Sequence, residues 1–530
     1  MIGLTTLKRT KTFRLVQALS KIEQLILAGA SLIFLASLVT LGILYFQTKT
    51  YLVAAEGGHF REGSVGQPVF INPALPSTEA DRDLSHIIFS SVNEIAEKIE
   101  PSENNTVWSV RLKEDIFWHD GERLTADDII FTLEVIQDSE AGSPLLPSFQ
   151  GVAAERVSEL EVKFVLQGSY AFFGEDHLKN LRIIPKHIFA DIPVQNFKLS
   201  AQGLRPIGSG PYEVVAHEKD TDGIITKIKL RANKNYFGEK PKINNVTFNF
   251  YRNEDELIRA YNLGQIDGFG LTTAEPVADK VKIRHRTYSL RAPRYYAIFI
   301  NQTLAPEALK KLRVREALSA TVDRGRLTQI FGGYTTPLYG PTILTTNPVE
   351  EFDPALLRGL ELDLVVPEEK FLIKTAEIVK ENWEANGAKV NLQIFSIRDL
   401  AEQVLVDNNY ELLLFGNITK ENQDLFAFWH SSRRFYPDQN LSLYESDEVD
   451  DLLEEYRKTA DPKERNNLLK ETSDTIAEEV PAVFLYAPDY IYIASPQLGG
   501  FNEANIIGTR EDRFNGIENW YVKTRRVFSR

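Results

Sequence analysis

The chain has 530 residues and no cysteine. That excludes disulfide bridges, Cys-ligated metal centres and thiol catalysis together. Histidine is sparse. The residues at 59, 86, 119, 177, 187, 217, 285 and 430 include no pair spaced to hold a metal on one helix face or hairpin. There is no Gly-x-Ser-x-Gly nucleophile elbow and no P-loop. Gly208-Ser209-Gly210 lacks the P-loop lysine and reads as a tight turn before a strand. Asp127-Asp128 stands where a helix start favours negative charge, so it is not read as an acid/base pair. Positive charge is in deficit, with a net −14, which argues against a nucleic-acid partner. No nucleophile, acid/base set or metal site is visible, and the chain reads as a non-enzyme without a cofactor.

Residues 25–46 carry no charge and form the one long apolar run. At ~1.5 Å per residue the run reaches across the ~30 Å hydrocarbon core of a bilayer. Lys8, Arg9, Lys11, Arg14 and Lys21 precede it with no acid before Glu23, and only Lys49 follows closely. The positive-inside rule places residues 1–24 in the cytoplasm and everything beyond the span outside. A cleaved signal peptide is the alternative, but its apolar region is shorter, about 7–15 residues. Residues 47–66 read as a Gly-rich polar linker. The remaining chain, 43% apolar and 25% charged over the whole sequence, can bury a sizeable core.

Residues 106–137 are the most informative part of that remainder. Trp108, Val110 and Leu112 alternate as on a half-buried strand, and Asp120-Gly121 is a turn signal. Thr125 then opens a helix with Asp127 and Asp128 in its first turn and Ile129, Ile130, Leu133 and Ile136 as its apolar stripe. Asn253 caps a second helix that Gly264 ends. Residues 361–396 read as strand, helix and strand, a βαβ unit that requires Leu364 and Leu392 to lie on parallel strands of one sheet. Asp461-Pro462-Lys463-Glu464 starts a further capped helix.

The stretch VRLKEDIFWHDGERLTADDIIFTLEVI resembles the signature of extracytoplasmic solute-binding protein family 5, the substrate-binding proteins of peptide and nickel ABC importers. Further matches follow in the family's order: Ile184 to His187, Pro206 to Tyr212, Arg231 to Phe237, Leu263 to Asp267, Val314 to Leu318 with Asp323-Arg324, and Pro481 to Tyr486. Each segment is weak alone, and their order over about residues 65–525 is strong. The resemblance implies an α/β, two-lobed periplasmic-binding-protein type II (Venus flytrap) fold, here preceded by one N-terminal transmembrane helix. It places chain crossings between lobes near 288–296 and 490–500. Lobe I is then 57–290 plus 497–530, with an extra subdomain near 80–200, and lobe II is 291–496. Many such proteins are anchored by a lipid-modified cysteine, which this chain does not have, so the apolar run takes that part.

The resemblance also implies function. The chain would be the extracytoplasmic substrate-binding subunit of an ABC importer. It would capture a peptide or peptide-like solute by lobe closure and deliver it to permease and ATPase subunits, as a monomeric ectodomain tethered to the cell membrane. The rivals are a membrane-anchored sensor, a binder of a sugar or metal chelate, an ectodomain enzyme and a chaperone-like surface protein. Candidate ligand-binding residues are Phe70, Asn72, Tyr295, Phe415, Asn417 and Trp429. The aromatic cluster of Tyr295-Tyr296, Phe426, Phe428 and Trp429 fits a cleft wall, although each aromatic alone is more simply core. In peptide-binding relatives, the loop after the strand near 410–415 carries an Asp that pairs with the peptide α-ammonium. Asn417 stands there instead, and a neutral amide cannot neutralise an ammonium. Glu421 or Asp424 could substitute if the loop folds inward.

Overall fold

The computed structural model describes residues 19–271, 280–346, 352–419, 421–504 and 506–529. The basic residues at 8, 9, 11 and 14 lie outside this range. The chain forms two compact units, Met1–Glu56 with Lys523–Arg530, and Gly57–Val522.

In the first unit a helix spans Lys21–Lys49 and is long and apolar enough to cross a membrane. Ser20 and Glu23 form a capping box at its start, with the Glu23 carboxylate accepting the Ser20 N–H at 2.8 Å. The helix runs directly into a strand, Thr50–Ala55, which pairs antiparallel with Lys523–Phe528. Two expectations are corrected here. Residues 47–66 are not a linker, because Thr50–Ala55 and His59–Val65 are strands. Residues 523–528 pair with the segment after the helix rather than joining the expected first lobe. The run Thr50-Tyr51-Leu52-Val53 has strand-forming residues, but its partner lies far away in sequence and leaves no local trace.

The second unit holds a seven-stranded sheet in the order Arg286–Leu290, Tyr490–Ala494, Gly268–Gly270, His59–Val65, Asn245–Tyr251, Ile225–Ala232 and Tyr212–Lys219. A separate four-stranded sheet, Ala96–Pro101, Val107–Leu112, Glu161–Val165 and Ala153–Ser158, lies between the first and second of these in sequence. It carries Trp108, Val110 and Leu112 buried on one face, as their alternation requires. The helix Ala126–Gln137 follows, and the Asp128 carboxylate accepts the N–H of Thr125 at 2.8 Å and of Lys186 at 2.9 Å.

The motif residues interlock. His119 Nδ1 accepts the Gly208 N–H at 3.2 Å, and its Nε2 lies 3.1 Å from the Gly210 carbonyl. Burial lowers the His119 pKa and favours the neutral ring this arrangement uses. His187 Nε2 meets Asp120 at 2.8 Å. Gly208 is required by contact, since a Cβ there would lie 2.0 Å from the Ile88 carbonyl oxygen. These motif residues are therefore struts of the fold.

Segment 498–522 is held to the seven-stranded body by a buried ionic cluster. Arg513 forks onto Asp83 at 2.7 Å through both terminal nitrogens and reaches Glu62 at 3.1 Å, and all three side chains are fully buried. Tyr492 donates to Glu62 at 2.6 Å.

The six-stranded sheet has the order Thr335–Pro337, Ala482–Pro488, Arg294–Ile300, Leu412–Ile418, Glu361–Pro367 and Lys389–Phe395. Glu361–Pro367 and Lys389–Phe395 are parallel, with Leu364 opposite Leu392 and the helix Lys370–Ala385 between them. This is the βαβ unit read from the sequence. The chain passes from the seven-stranded to the six-stranded sheet between Leu290 and Arg294 and returns at Asp489. The return is earlier than the 490–500 expected, so the 291–496 range ends too late. Pro488 and Asp489 break what otherwise reads as one apolar run. Ser289 donates to Asp489 at 2.5 Å, tying the two passages together.

Candidate functional site

Side chains alternate across the six-stranded sheet. Tyr296, Ile298 and Ile300 pack on one face with Leu412 and Leu414, while Tyr295, Ala297 and Phe299 pack on the other with Leu413. Tyr295 and Asn417 are direct cross-strand partners, so their side chains share the second face. Asn417 Nδ2 donates to the Tyr295 hydroxyl at 2.9 Å, and so does Trp429 Nε1 at 2.9 Å. Trp429 comes from the short helix Phe426–Trp429 that follows the strand. All three residues are buried. Burial pushes the Tyr295 phenol well up, against the opposing pull of the two donors. Phe415 is half-buried against the same cluster. Four of the six candidate residues thus come together.

Phe70 and Asn72 lie apart from these, buried in the body of the seven-stranded sheet. The Phe70 N–H donates to Asp81 at 2.9 Å, and Asn72 Oδ1 accepts from the Ala74 N–H at 2.9 Å. Asn72 Nδ2 is buried with no hydrogen-bond partner among the described residues.

Sequence reasoning missed the segment through which the two bodies meet. Phe172, which follows the four-stranded sheet in sequence, is buried inside the same cluster as Tyr295 and Trp429 and packs against Tyr456 at 5.0 Å. Arg465 lies over the Phe172 ring at 4.7 Å and pairs with Glu175 at 3.2 Å. The Tyr170 hydroxyl accepts from Asn422 at 3.2 Å, and Arg457 covers the Tyr170 ring at 4.9 Å. The Ala171 N–H donates to the Arg457 carbonyl at 2.8 Å. The available signal was Tyr170-Ala171-Phe172-Phe173, an aromatic run standing outside any strand pattern.

The same contacts decide the place of the two alternative carboxylates. Asp424 pairs with Arg457 at 3.0 Å, and Glu421 pairs with Lys179 from the other body. Both are already matched by a base, and the polar groups beside Tyr295 are neutral. The cluster is a buried, neutral set in which the Tyr295 hydroxyl accepts both donors. It holds no uncommitted charge of its own at Asn417. Among the described residues, no group of three or more His, Cys, Asp or Glu side chains is placed to hold a metal ion.

Three comparisons bear on this arrangement. The chain is 24% identical to the oligopeptide-binding protein AppA of Bacillus subtilis over 88% of its length and 92% of that protein. It is 22% identical to the nickel-binding protein NikA of Staphylococcus aureus over 75% of its length and 81% of that protein. Among solved structures, the ABC transporter substrate binding protein CtaP from Listeria monocytogenes superposes with a TM-score of 0.73 at 24% identity. That match covers 88% of this chain and all of the other, and places the second unit in the two-lobed periplasmic-binding-protein fold. The model for bacterial extracellular solute-binding proteins, family 5 Middle, matches residues 91–436. With motifs, fold and this match in agreement, the chain belongs to the family 5 extracellular solute-binding proteins.

Proposed function

We propose that the chain is the substrate-binding subunit of an ABC importer and that it captures a peptide between two closing lobes. Residues 57–290 with 489–522 form one lobe, including the subdomain near 80–200, and 291–488 form the other. What supports the reading is the neutral cluster of Tyr295, Asn417 and Trp429, which lies in the same buried core as Phe172 from the other lobe. A peptide backbone presents the neutral donors and acceptors such a wall can pair. The oligopeptide-binding relative supports the same class. No bond is made or broken in this role, and closure is what a permease would recognise. The helix Lys21–Lys49 anchors the protein, with its first residues cytoplasmic and the lobes outside.

Mass spectrometry of small molecules released from the purified full chain tests the ligand class. Peptides bound in stoichiometric amount are expected. A sugar or a metal chelate in their place would overturn the peptide reading and leave the solute-binding role standing. Topology is tested by adding protease to intact spheroplasts. Digestion is expected to spare the first 21 residues, and a processed protein beginning near residue 50 would sink the anchor.

A further inference from the structure

The first unit contains a surface that the solute-binding role does not use. The helix passes without a break into the two-stranded ribbon of Thr50–Ala55 and Lys523–Phe528. The helix end is built into that ribbon, since the Lys49 carbonyl accepts the Ser529 N–H at 2.8 Å and the Ser529 hydroxyl at 3.1 Å. Arg526 donates to the Thr50 hydroxyl at 3.0 Å, and the Phe46 and Phe528 rings meet edge-on at 5.8 Å.

The ribbon is graded along its length. Next to the helix the pairs are Thr50 with Phe528 and Tyr51 with Val527, followed by Leu52 with Arg526, Val53 with Arg525 and finally Ala55 with Lys523. Apolar and aromatic side chains thus come first and basic ones follow, with no acid in either strand. Tyr51, Leu52 and Phe528 are 55%, 59% and 61% exposed. Lys523, Arg525 and Arg526 are exposed too. A two-stranded ribbon is marginal in water by itself, and among the described residues this one belongs to no larger sheet.

We infer that the ribbon docks on the outer headgroup layer of the membrane, with Tyr51, Leu52 and Phe528 at the acyl boundary and Arg526, Arg525 and Lys523 on the phosphates of anionic lipids. The inference rests on the anchor reading of Lys21–Lys49. Two arguments select a lipid surface as the occupant. The ribbon continues directly from a segment long enough to span the bilayer, so its first pairs fall at the interface. Its order of aromatic, then basic, side chains repeats the order of layers met on leaving the membrane. The sequence near the span shows only Lys49 on this side. The fold adds three more basic residues once the strands pair, after insertion has set the topology.

The absence of native cysteine allows a single labelled position. Full chains carrying Tyr51→Cys or Thr524→Cys, tagged with an environment-sensitive fluorophore, are reconstituted in vesicles of phosphatidylcholine alone or with 30% phosphatidylglycerol. With the anionic lipid, the label at 51 is expected to shift blue and resist iodide quenching, and the label at 524 to do so less. High salt or the R525E/R526E pair should abolish the difference between lipids, while R525K/R526K should retain it. Salt leaves the covalent structure untouched and so separates electrostatics from misfolding of the variant. A label at 51 equally quenched in both lipids, with the chain still in the membrane, overturns the ribbon docking alone. Release of the chain by alkaline carbonate overturns the anchor reading and the docking with it.

Discussion

Asn417 is the residue proposed to face the amino end of a bound peptide. Its side chain already donates to Tyr295, so Asn417→Asp keeps a partner, with the Tyr295 hydroxyl turning to donate. A carboxylate buried there costs stability without ligand and gains a charge-assisted bond when an ammonium arrives. Charge-assisted bonds are worth about 1.5–3 kcal/mol against about 1 for a neutral one, so peptides with a free amino end should bind roughly tenfold tighter. Calorimetry should show no gain for N-acetylated peptides, and an equal gain for both would show that position 417 does not face the amino end. Glu511 offers a second test. Burial, reinforced by the nearby charges of Asp83 and Asp512, raises its pKa from 4.5 to about 7. The folded state therefore holds the proton more tightly than the unfolded chain. The stability from Glu511 is full below about pH 4.5 and is lost as pH rises through 7. Glu511→Gln should stabilise the protein at pH 8 by about 1–2 kcal/mol, the residue's partial exposure keeping the gain below the full linkage value. At pH 4.5 thermal melts of the two proteins should coincide.

Elements built on local chemistry were legible in the sequence. The strand, turn and helix of 106–137, the βαβ unit and the caps at Asn253 and Asp461 all stand where residue type and spacing put them. Asp128 shows how one such cap also reaches a distant element, because it accepts from Lys186 as well as Thr125. Asp128→Ala should cost about 2–4 kcal/mol, a lost cap plus a buried N–H left unpaired. Urea unfolding would measure it, and a change under 1 kcal/mol would show that water replaces the carboxylate. Elements that depend on distant partners were not legible. Thr50–Ala55 finds its partner strand at Lys523–Phe528, and Tyr490–Ala494 joins the first sheet although it directly follows a strand of the second. Nothing local distinguishes these pairings. Of the candidate site, the cluster around Tyr295 was legible because aromatic residues recur there. Phe172 was not, because the aromatic run at 170–173 reads as core of its own lobe until its neighbours are known.

For the molecule as a whole, Phe172 joins the two lobes more deeply than any pair of charges, since it is a side chain of one body buried in the core of the other. Truncating a buried Phe costs about 3–5 kcal/mol. If only a third of that falls on the closed state, Phe172→Ala opens the lobes enough to weaken ligand binding about tenfold. Small-angle scattering of the ligand-free protein should then show a larger radius of gyration, and an unchanged radius with unchanged affinity would count against the segment as a clasp. The ribbon has a consequence in time. Synthesis from the N-terminus delivers Thr50–Ala55 early and Lys523–Phe528 late. At 5–20 residues per second the first strand waits roughly 25–95 s for its partner. For that interval the strand has no partner, and its bare edge is open to pairing with the same edge of a neighbouring nascent chain.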